Sequence, residues 1–147
     1  WHLLEHQSHS GIKHTVKALN TVYKTQPALY ELDSSAAGFT WIDNNNNQQS
    51  ILSFVRYAKN AKNFVVVIAN FTPASYENYV IGVPSKGRYK VIVNTDDTQF
   101  FGSGVEVTKD SSLIVQAINE SNHGFKHSIS IAIGGLTTIY LQKVDDE

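Results

Sequence analysis

Two periodicities divide the chain. From Gly11 to Lys24 the apolar residues Ile12, Val16, Leu19, Val22 and Tyr23 recur at helical spacing, while Lys13, Lys17, Asn20, Thr21 and Lys24 take the other face. The pattern predicts one amphipathic helix. Ser10 offers a side-chain oxygen to the unpaired amides at its start, and Pro27 drives Gln26 out of the helical region, so the helix is expected to end near Lys24. Gly11 and the Ser8 to Ser10 stretch read as an irregular approach, and Pro27, which has no amide to leave unpaired, can open a further short turn as far as Leu32.

After Asp33 the period changes to two, with short β-branched and aromatic runs between clusters of Gly, Asn, Asp and Ser. Strands are predicted near Gly38–Asp43, Ser50–Tyr57, Asn63–Asn70, Tyr76–Val83, Arg88–Asn94, Leu113–Ile118, His127–Ile133 and Thr137–Lys143. Turns fall at Asn44–Gln49, Lys59–Lys62, Pro84–Gly87 and Gly134-Gly135. Short strands without intervening helices imply antiparallel sheets, and stacking two of them buries one face of each. The predicted fold is mainly β: an antiparallel β-sandwich preceded by one helix. The continuous run Phe64 to Ala69 suits a central strand covered on both faces. Asn94 to Ser112 shows little periodicity and reads as a long loop, a feature uncommon enough in compact domains to suggest a role.

Composition narrows the partners. The chain has 147 residues, 41% hydrophobic and 17% charged, which fits a single globular unit. A formal net charge of −1 offers no general attraction for phosphate backbones or anionic lipid, so neither nucleic acid nor membrane is expected as a partner. Cysteine is absent, which excludes disulfides and thiolate zinc sites and fits a cytoplasmic location. The sequons Asn70-Phe71-Thr72 and Asn119-Glu120-Ser121 are short enough to arise by chance. The opening Trp1, Leu3, Leu4 cluster, with no initiating Met, reads as a cut inside a longer protein.

An ordered series of short motifs carries a resemblance. Trp1-His2-Leu3-Leu4-Glu5, Leu19-Asn20 with Tyr23, Pro27-Ala28-Leu29, Glu31-Leu32-Asp33, Gly38-Phe39, Trp41-Ile42, Asn70-Phe71-Thr72-Pro73, Asn94-Thr95-Asp96, Gly102-Ser103-Gly104, His127-Ser128 and Leu136 to Leu141 resemble the C-terminal end of bacterial 1,4-α-glucan branching enzymes, over nearly the whole chain. The resemblance implies a parent enzyme of the α-amylase superfamily that cuts an α-1,4 glucan and rejoins the released chain through an α-1,6 bond. It further implies that residues 1–33 form the last helix of the parent catalytic barrel and 34–147 a C-terminal β domain, with the catalytic carboxylates upstream. Gly134-Gly135 departs from the stiff, proline-like pair expected before the last strand, and is expected to weaken that turn slightly. Val105 to Asn122 resembles the family poorly.

Candidate chemistry is sparse. Retaining glycoside chemistry needs two carboxyl groups about 5 Å apart in a shaped cleft. Asp96-Asp97 is the tight acidic pair before the tail, but sequence neighbours point apart on extended backbone, and both acids are expected to be solvated turn formers. Asp145, Asp146 and Glu147 read as a frayed end. No catalytic residue is assigned. His2, His6 and His9 have the number but not the carboxylate support for a zinc site, and no metal or cofactor is expected. His123 and His127 are expected to pin loop geometry, and Gly102-Ser103-Gly104 to form a turn. The aromatics carry the one binding signal, because sugars rest their C–H faces on such rings. Trp41, Tyr57, Tyr76, Tyr79, Phe100 and Phe101 are the candidates, with Phe100, Phe101, Trp41 and Tyr76 taken as the carbohydrate-binding set. The apolar residues Trp1, Leu3, Leu4, Ile12, Val16, Leu19, Val22 and Tyr23 are assigned to packing on the absent barrel. The expected role is therefore a non-catalytic domain that stabilises the parent's barrel. The alternative is a module that binds α-glucan through surface aromatics.

Overall fold

A computed structural model describes residues 2–144. Trp1 and the acidic tail at 145–147 lie outside the described residues. Helix α1 runs Gln7–Thr25, and eight strands follow: β1 Phe39–Asn46, β2 Ile51–Tyr57, β3 Phe64–Asn70, β4 Tyr76–Val83, β5 Arg88–Asn94, β6 Ile114–Gln116, β7 His127–Ile133 and β8 Thr138–Val144. Short 3-10 turns occupy His2–Glu5, Pro27–Leu29, Ala36–Gly38 and Thr98–Phe100.

The strands form a six-stranded sheet in the order β1-β2-β3-β8-β5-β6 and a two-stranded sheet, β4-β7, every pairing antiparallel. Alternation decides which side of each strand is dry. Along β2, Ile51, Ser53 and Val55 are buried while Leu52, Phe54 and Arg56 are only half-buried. Ile51 and Val55 join Val66, Ile68, Tyr89, Ile139 and Leu141 of the large sheet with Ile81, Val83, Ile129, Ile131 and Ile133 of the small one in one core. This is the predicted sandwich, its two sheets sharing that core. β3 is covered on both faces: Val66 and Ile68 turn into the core, and Val65 and Val67 lie on the other side with Ala28 and Ala58, flanked by Leu29, Phe54, Ile92 and Tyr140.

Several details depart from the sequence reading. α1 begins three residues before Ser10, with Ser10 N–H donating to the His6 carbonyl at 3.0 Å, and His6 provides no side-chain cap. Gly11 therefore lies inside the helix, and its lack of a side chain has a packing reason. A Cβ there would stand 2.7 Å from the Phe100 carbonyl oxygen and 2.8 Å from Phe101 Cβ, so the glycine lets α1 lie against the 98–100 turn. Threonines 15, 21 and 25 each donate their hydroxyl one turn back along α1, which satisfies them without a partner elsewhere. At the far end Gln26 is extended, as the following proline requires.

β1 continues to Asn46 through two register shifts, where the sequence reading placed a turn from Asn44. Asn46 holds that bend by donating to Gln49 Oε1 at 2.7 Å and Tyr79 Oη at 3.1 Å. β6 is shorter than predicted. The Gly134-Gly135 turn is a place of close approach, since a Cβ on Gly134 would meet Asp96 Oδ2 at 2.6 Å and one on Gly135 the Pro73 carbonyl oxygen at 2.3 Å. Side chains at this pair would meet those atoms as the backbone now runs, so the glycines also serve the close approach of Asp96 and Pro73.

Candidate functional site

The outer face of the six-stranded sheet carries a grouping of three aromatic rings. Phe39, Trp41 and Phe54 meet edge-on or stacked, with ring centroids at 4.9 Å for Phe39–Trp41, 5.1 Å for Phe39–Phe54 and 6.0 Å for Trp41–Phe54. The cause is register: Trp41 on β1 sits directly across from Phe54 on β2, the pairing in which large side chains reinforce one another. Trp41 nevertheless leaves 46% of its surface to solvent. Phe54 also lines a groove of about 370 Å³ with Leu19 and Tyr23 of α1, Leu29, Val67 and Tyr140. At its rim Arg56 donates to Asp33 Oδ1 at 2.7 Å and to the Gly38 carbonyl at 3.2 Å. Burial raises the Tyr140 phenol above its ordinary pKa, consistent with a ring set into the groove floor.

α1 faces this sheet with only part of its apolar stripe. Gly11 is buried and Thr15, Ala18, Leu19 and Val22 are half-buried, a repeat of one helical face. Ile12, Val16 and Tyr23 stand on the adjoining strip and are largely exposed, as is Leu3, while Leu4 is half-buried. Tyr23 and Tyr30 add a tilted ring pair with centroids 6.0 Å apart. The stripe read as a single face from the sequence is thus split between a covered edge and an open one.

The carbohydrate candidates are not brought together. Trp41 lies on the outer sheet face, and Tyr76 sits half-buried on β4 with its ring 6.3 Å from Tyr79. Phe100 is half-buried where α1 crosses its turn, and Phe101, in the left-handed conformation at φ 68°, is 60% exposed. No ring contact joins these three places among the described residues.

Asp96 differs most from its expected role. It is 7% exposed rather than solvated. Its carboxylate accepts from Ser103 N at 2.8 Å, Ser103 Oγ at 2.7 Å and Val105 N at 2.9 Å, and its carbonyl accepts from Gly104 N at 2.7 Å. Burial pushes its pKa up, but the Val105 and Ser103 bonds together with Gly104 outweigh this and leave it lowered. Gly102 is required beside it, since a Cβ there would stand 2.1 Å from the Asp96 carbonyl oxygen. Asp97 instead caps the following turn by accepting from Gln99 N at 2.9 Å. The long loop is therefore an ordered knot tied around one carboxylate, a role that nothing in the local sequence pattern announces beyond the spacing of Asp96 from Gly102-Ser103-Gly104.

The two histidines near β7 hold local structure. His123 accepts from Gly82 N at 3.2 Å through Nδ1 and places Nε2 3.4 Å from Asp43 Oδ2, tying the 119–125 hairpin to β4 and β1. His127 Nδ1 lies 3.0 Å from Asn119 Oδ1. His6 and His9 approach with ring centroids 5.8 Å apart, and no group of three metal-ligating side chains gathers among the described residues. No helix among them is long and apolar enough to cross a membrane. Asn70 is 3% exposed and donates its amide to the Ala74 and Gly134 carbonyls, so this sequon serves a turn.

Two antiparallel sheets around one core, with a helix docked through small residues and an open aromatic face, define a mainly β domain with one leading helix. Residues 41–144 match the alpha amylase C-terminal all-beta domain, and the chain belongs to that family. It is similar to the 1,4-alpha-glucan branching enzymes of Pseudoalteromonas atlantica, at 40% identity over 96% of this chain, and Aquifex aeolicus, at 40% over 97%. It is also 41% identical to the branching enzyme of Oceanobacillus iheyensis over 97% of its length. The chain spans about a fifth of those relatives, 19% of the first and 22% of the other two.

Proposed function

We propose that this chain is the C-terminal accessory domain of a 1,4-α-glucan branching enzyme of the cytoplasm, non-catalytic by itself, that seats on and stabilises a catalytic barrel. In this reading residues 1–33 complete that barrel with its last helix and 34–147 form the β domain beside it. The parent enzyme would cut an α-1,4 glucan and rejoin the piece as an α-1,6 branch in glycogen synthesis. The observation that carries the reading is the open half of the helix stripe. Ile12 is 65% exposed, Val16 51% and Tyr23 49%, and Tyr23 runs directly into the groove that Phe54 shares. A monomeric domain that was finished in itself would gain from covering such a belt. The assigned packing set is Trp1, Leu3, Leu4, Ile12, Val16, Leu19, Val22 and Tyr23, of which Leu19 shares the groove with Phe54 and Val22 is half-buried.

The test is to place Val16→Asp in a full-length branching enzyme built on this chain and in the chain alone. The full-length protein should melt earlier while the chain does not; equal effects would remove the barrel from the explanation. Turnover of amylose by the chain alone would overturn its non-catalytic role.

A second reading has its own observation. Trp41 presents a half-exposed indole held edge-on by Phe39 and Phe54, a rigid platform suited to the C–H face of a sugar ring. On that reading the domain also holds α-glucan near the parent's active site, with Trp41, Tyr76, Phe100 and Phe101 as contacts. Loss of maltoheptaose binding on Trp41→Ala, with the melting temperature unchanged, is the expected result.

A further inference from the structure

Phe71 leaves 62% of its surface to solvent, more than Phe101 at 60% or Trp41 at 46%. A single exposed ring needs no explanation. The setting of this one is unusual, because the backbone on both sides is pinned while the ring is left outside. Phe71 N–H donates to the Ser50 carbonyl at 3.0 Å, and Ser50 N–H donates to the Asn46 carbonyl at 2.8 Å. On the other side Thr72 donates both its amide and its hydroxyl to Asn70 Oδ1, at 3.0 and 2.9 Å, and its carbonyl accepts from Leu136 N at 2.7 Å. Asn70 in turn spends its amide hydrogens on the Ala74 and Gly134 carbonyls, at 2.7 and 2.8 Å. The backbone that carries the ring is thus fixed before any ligand arrives.

Facing it is the asparagine-rich end of β1. Phe71, Asn44, Asn47 and Ser50 line one depression of about 210 Å³ whose walls carry no charged side chain. Asn46, also on this wall, is committed to Gln49 and Tyr79. Among the described residues Asn44 and Asn47 have no side-chain hydrogen-bond partner, and both are exposed. Each therefore offers one acceptor oxygen and two donor hydrogens.

We infer that this depression is a subsite for one neutral hexopyranose unit of an α-1,4 glucan, stacked on Phe71 and hydrogen-bonded through its hydroxyls to Asn44 and Asn47. The absence of charge in the walls disfavours phosphate or carboxylate ligands, which call for Arg or Lys. Hydroxyls that both donate and accept are what an unengaged amide pairs with, and an aromatic face supplies the apolar area. The volume is smaller than the roughly 300–1,000 Å³ of a pocket that encloses a drug-sized ligand, and suits a single ring laid on a surface. The α-glucan identity rests on the glucan-binding reading above; the sugar-binding chemistry rests on the residues. Phe71 is absent from the aromatic set assigned from the sequence, so the subsite is additional to Trp41.

The experiment is a maltoheptaose titration of the 15N-labelled 147-residue chain, following backbone amides and the side-chain NH2 groups of Asn44 and Asn47. Saturable shifts at those NH2 groups and at the Phe71 and Ser50 amides are expected. Phe71→Ala should weaken them about fivefold or more while leaving the melting temperature in place, because the ring is exposed. The double variant Asn44→Ala/Asn47→Ala should do the same without touching the ring. Shifts confined to Trp41 and its neighbours would overturn the Phe71 subsite and leave glucan binding standing. Shifts nowhere would overturn both. Unchanged binding in Phe71→Ala would overturn the subsite by itself.

Discussion

The two faces of the six-stranded sheet both carry apolar side chains but are covered to different extents. The inner face is closed: Ile51, Val55, Val66, Ile68, Ile139 and Leu141 are each at 0% exposure beneath β4 and β7. The outer face is only partly closed. Val65 and Val67 are buried by Ala28 and Ala58, while Trp41 stays half-open and the exposed strip of α1 stands beside the groove. More of the buried core of this chain accordingly lies on one face, and more of its open apolar surface on the other. Hydrophobicity alone does not separate the two; coverage does.

That contrast can be broken by substitution. Ile129→Ala or Ile139→Ala, both fully buried, should each cost about 2–5 kcal/mol in urea melts, since transfer and cavity terms add. Asp96→Asn should cost about 2 kcal/mol, on the scale of hydrogen bonds to a charged group, although no apolar contact is lost. The same residue predicts an acid limb. Its pKa is lowered by folding, so its contribution is complete above the ordinary carboxylate value of about 4 and is lost as pH falls through the lower folded value. Stability measured from pH 6 downward should drop in the native chain and drop less in Asp96→Asn. Parallel curves would remove this carboxylate from the account.

Gly11→Ala sharpens the comparison at the boundary between helix and sandwich. Removing glycine from a helix interior ordinarily gains about 1 kcal/mol. Here the added methyl would meet the Phe100 carbonyl oxygen at 2.7 Å, so a net loss is expected, seen as a lowered melting temperature. The smallest effect belongs to the open strip: Ile12→Asn should alter the stability of the isolated chain by no more than about 0.5 kcal/mol. An Ile12 effect as large as that of Ile139 would mean that the outer face is as firmly closed as the inner one.

Most strands were legible because a period of two survives wherever one side is dry. β4, β5 and β7 were placed at the bounds observed, Tyr76–Val83, Arg88–Asn94 and His127–Ile133. Less legible were elements whose cause lies far along the chain. The start of α1 is hidden in the sequence because Gly11 looks like a breaker, whereas it is the point where the helix meets Phe100. Asp96 read as a solvated loop acid because its partners, Ser103 and Val105, are donors that only a folded-back loop supplies. Phe71 sits inside a sequon-like triplet, where Asn70 followed two residues later by Thr72 is also the signature of a side chain bonding to its own turn.

The order of apolar and polar residues determined by itself that this chain is one helix followed by antiparallel strands, because side-chain direction along a strand or helix is a local property of the backbone. The ordered motifs likewise pointed to the alpha amylase C-terminal domain family, to which the chain belongs. Tertiary structure alone decided which half of the helix stripe is covered, which carboxylate is buried, and which rings remain open. Those outcomes depend on what arrives from distant parts of the chain to exclude water, and residue spacing does not encode such arrivals.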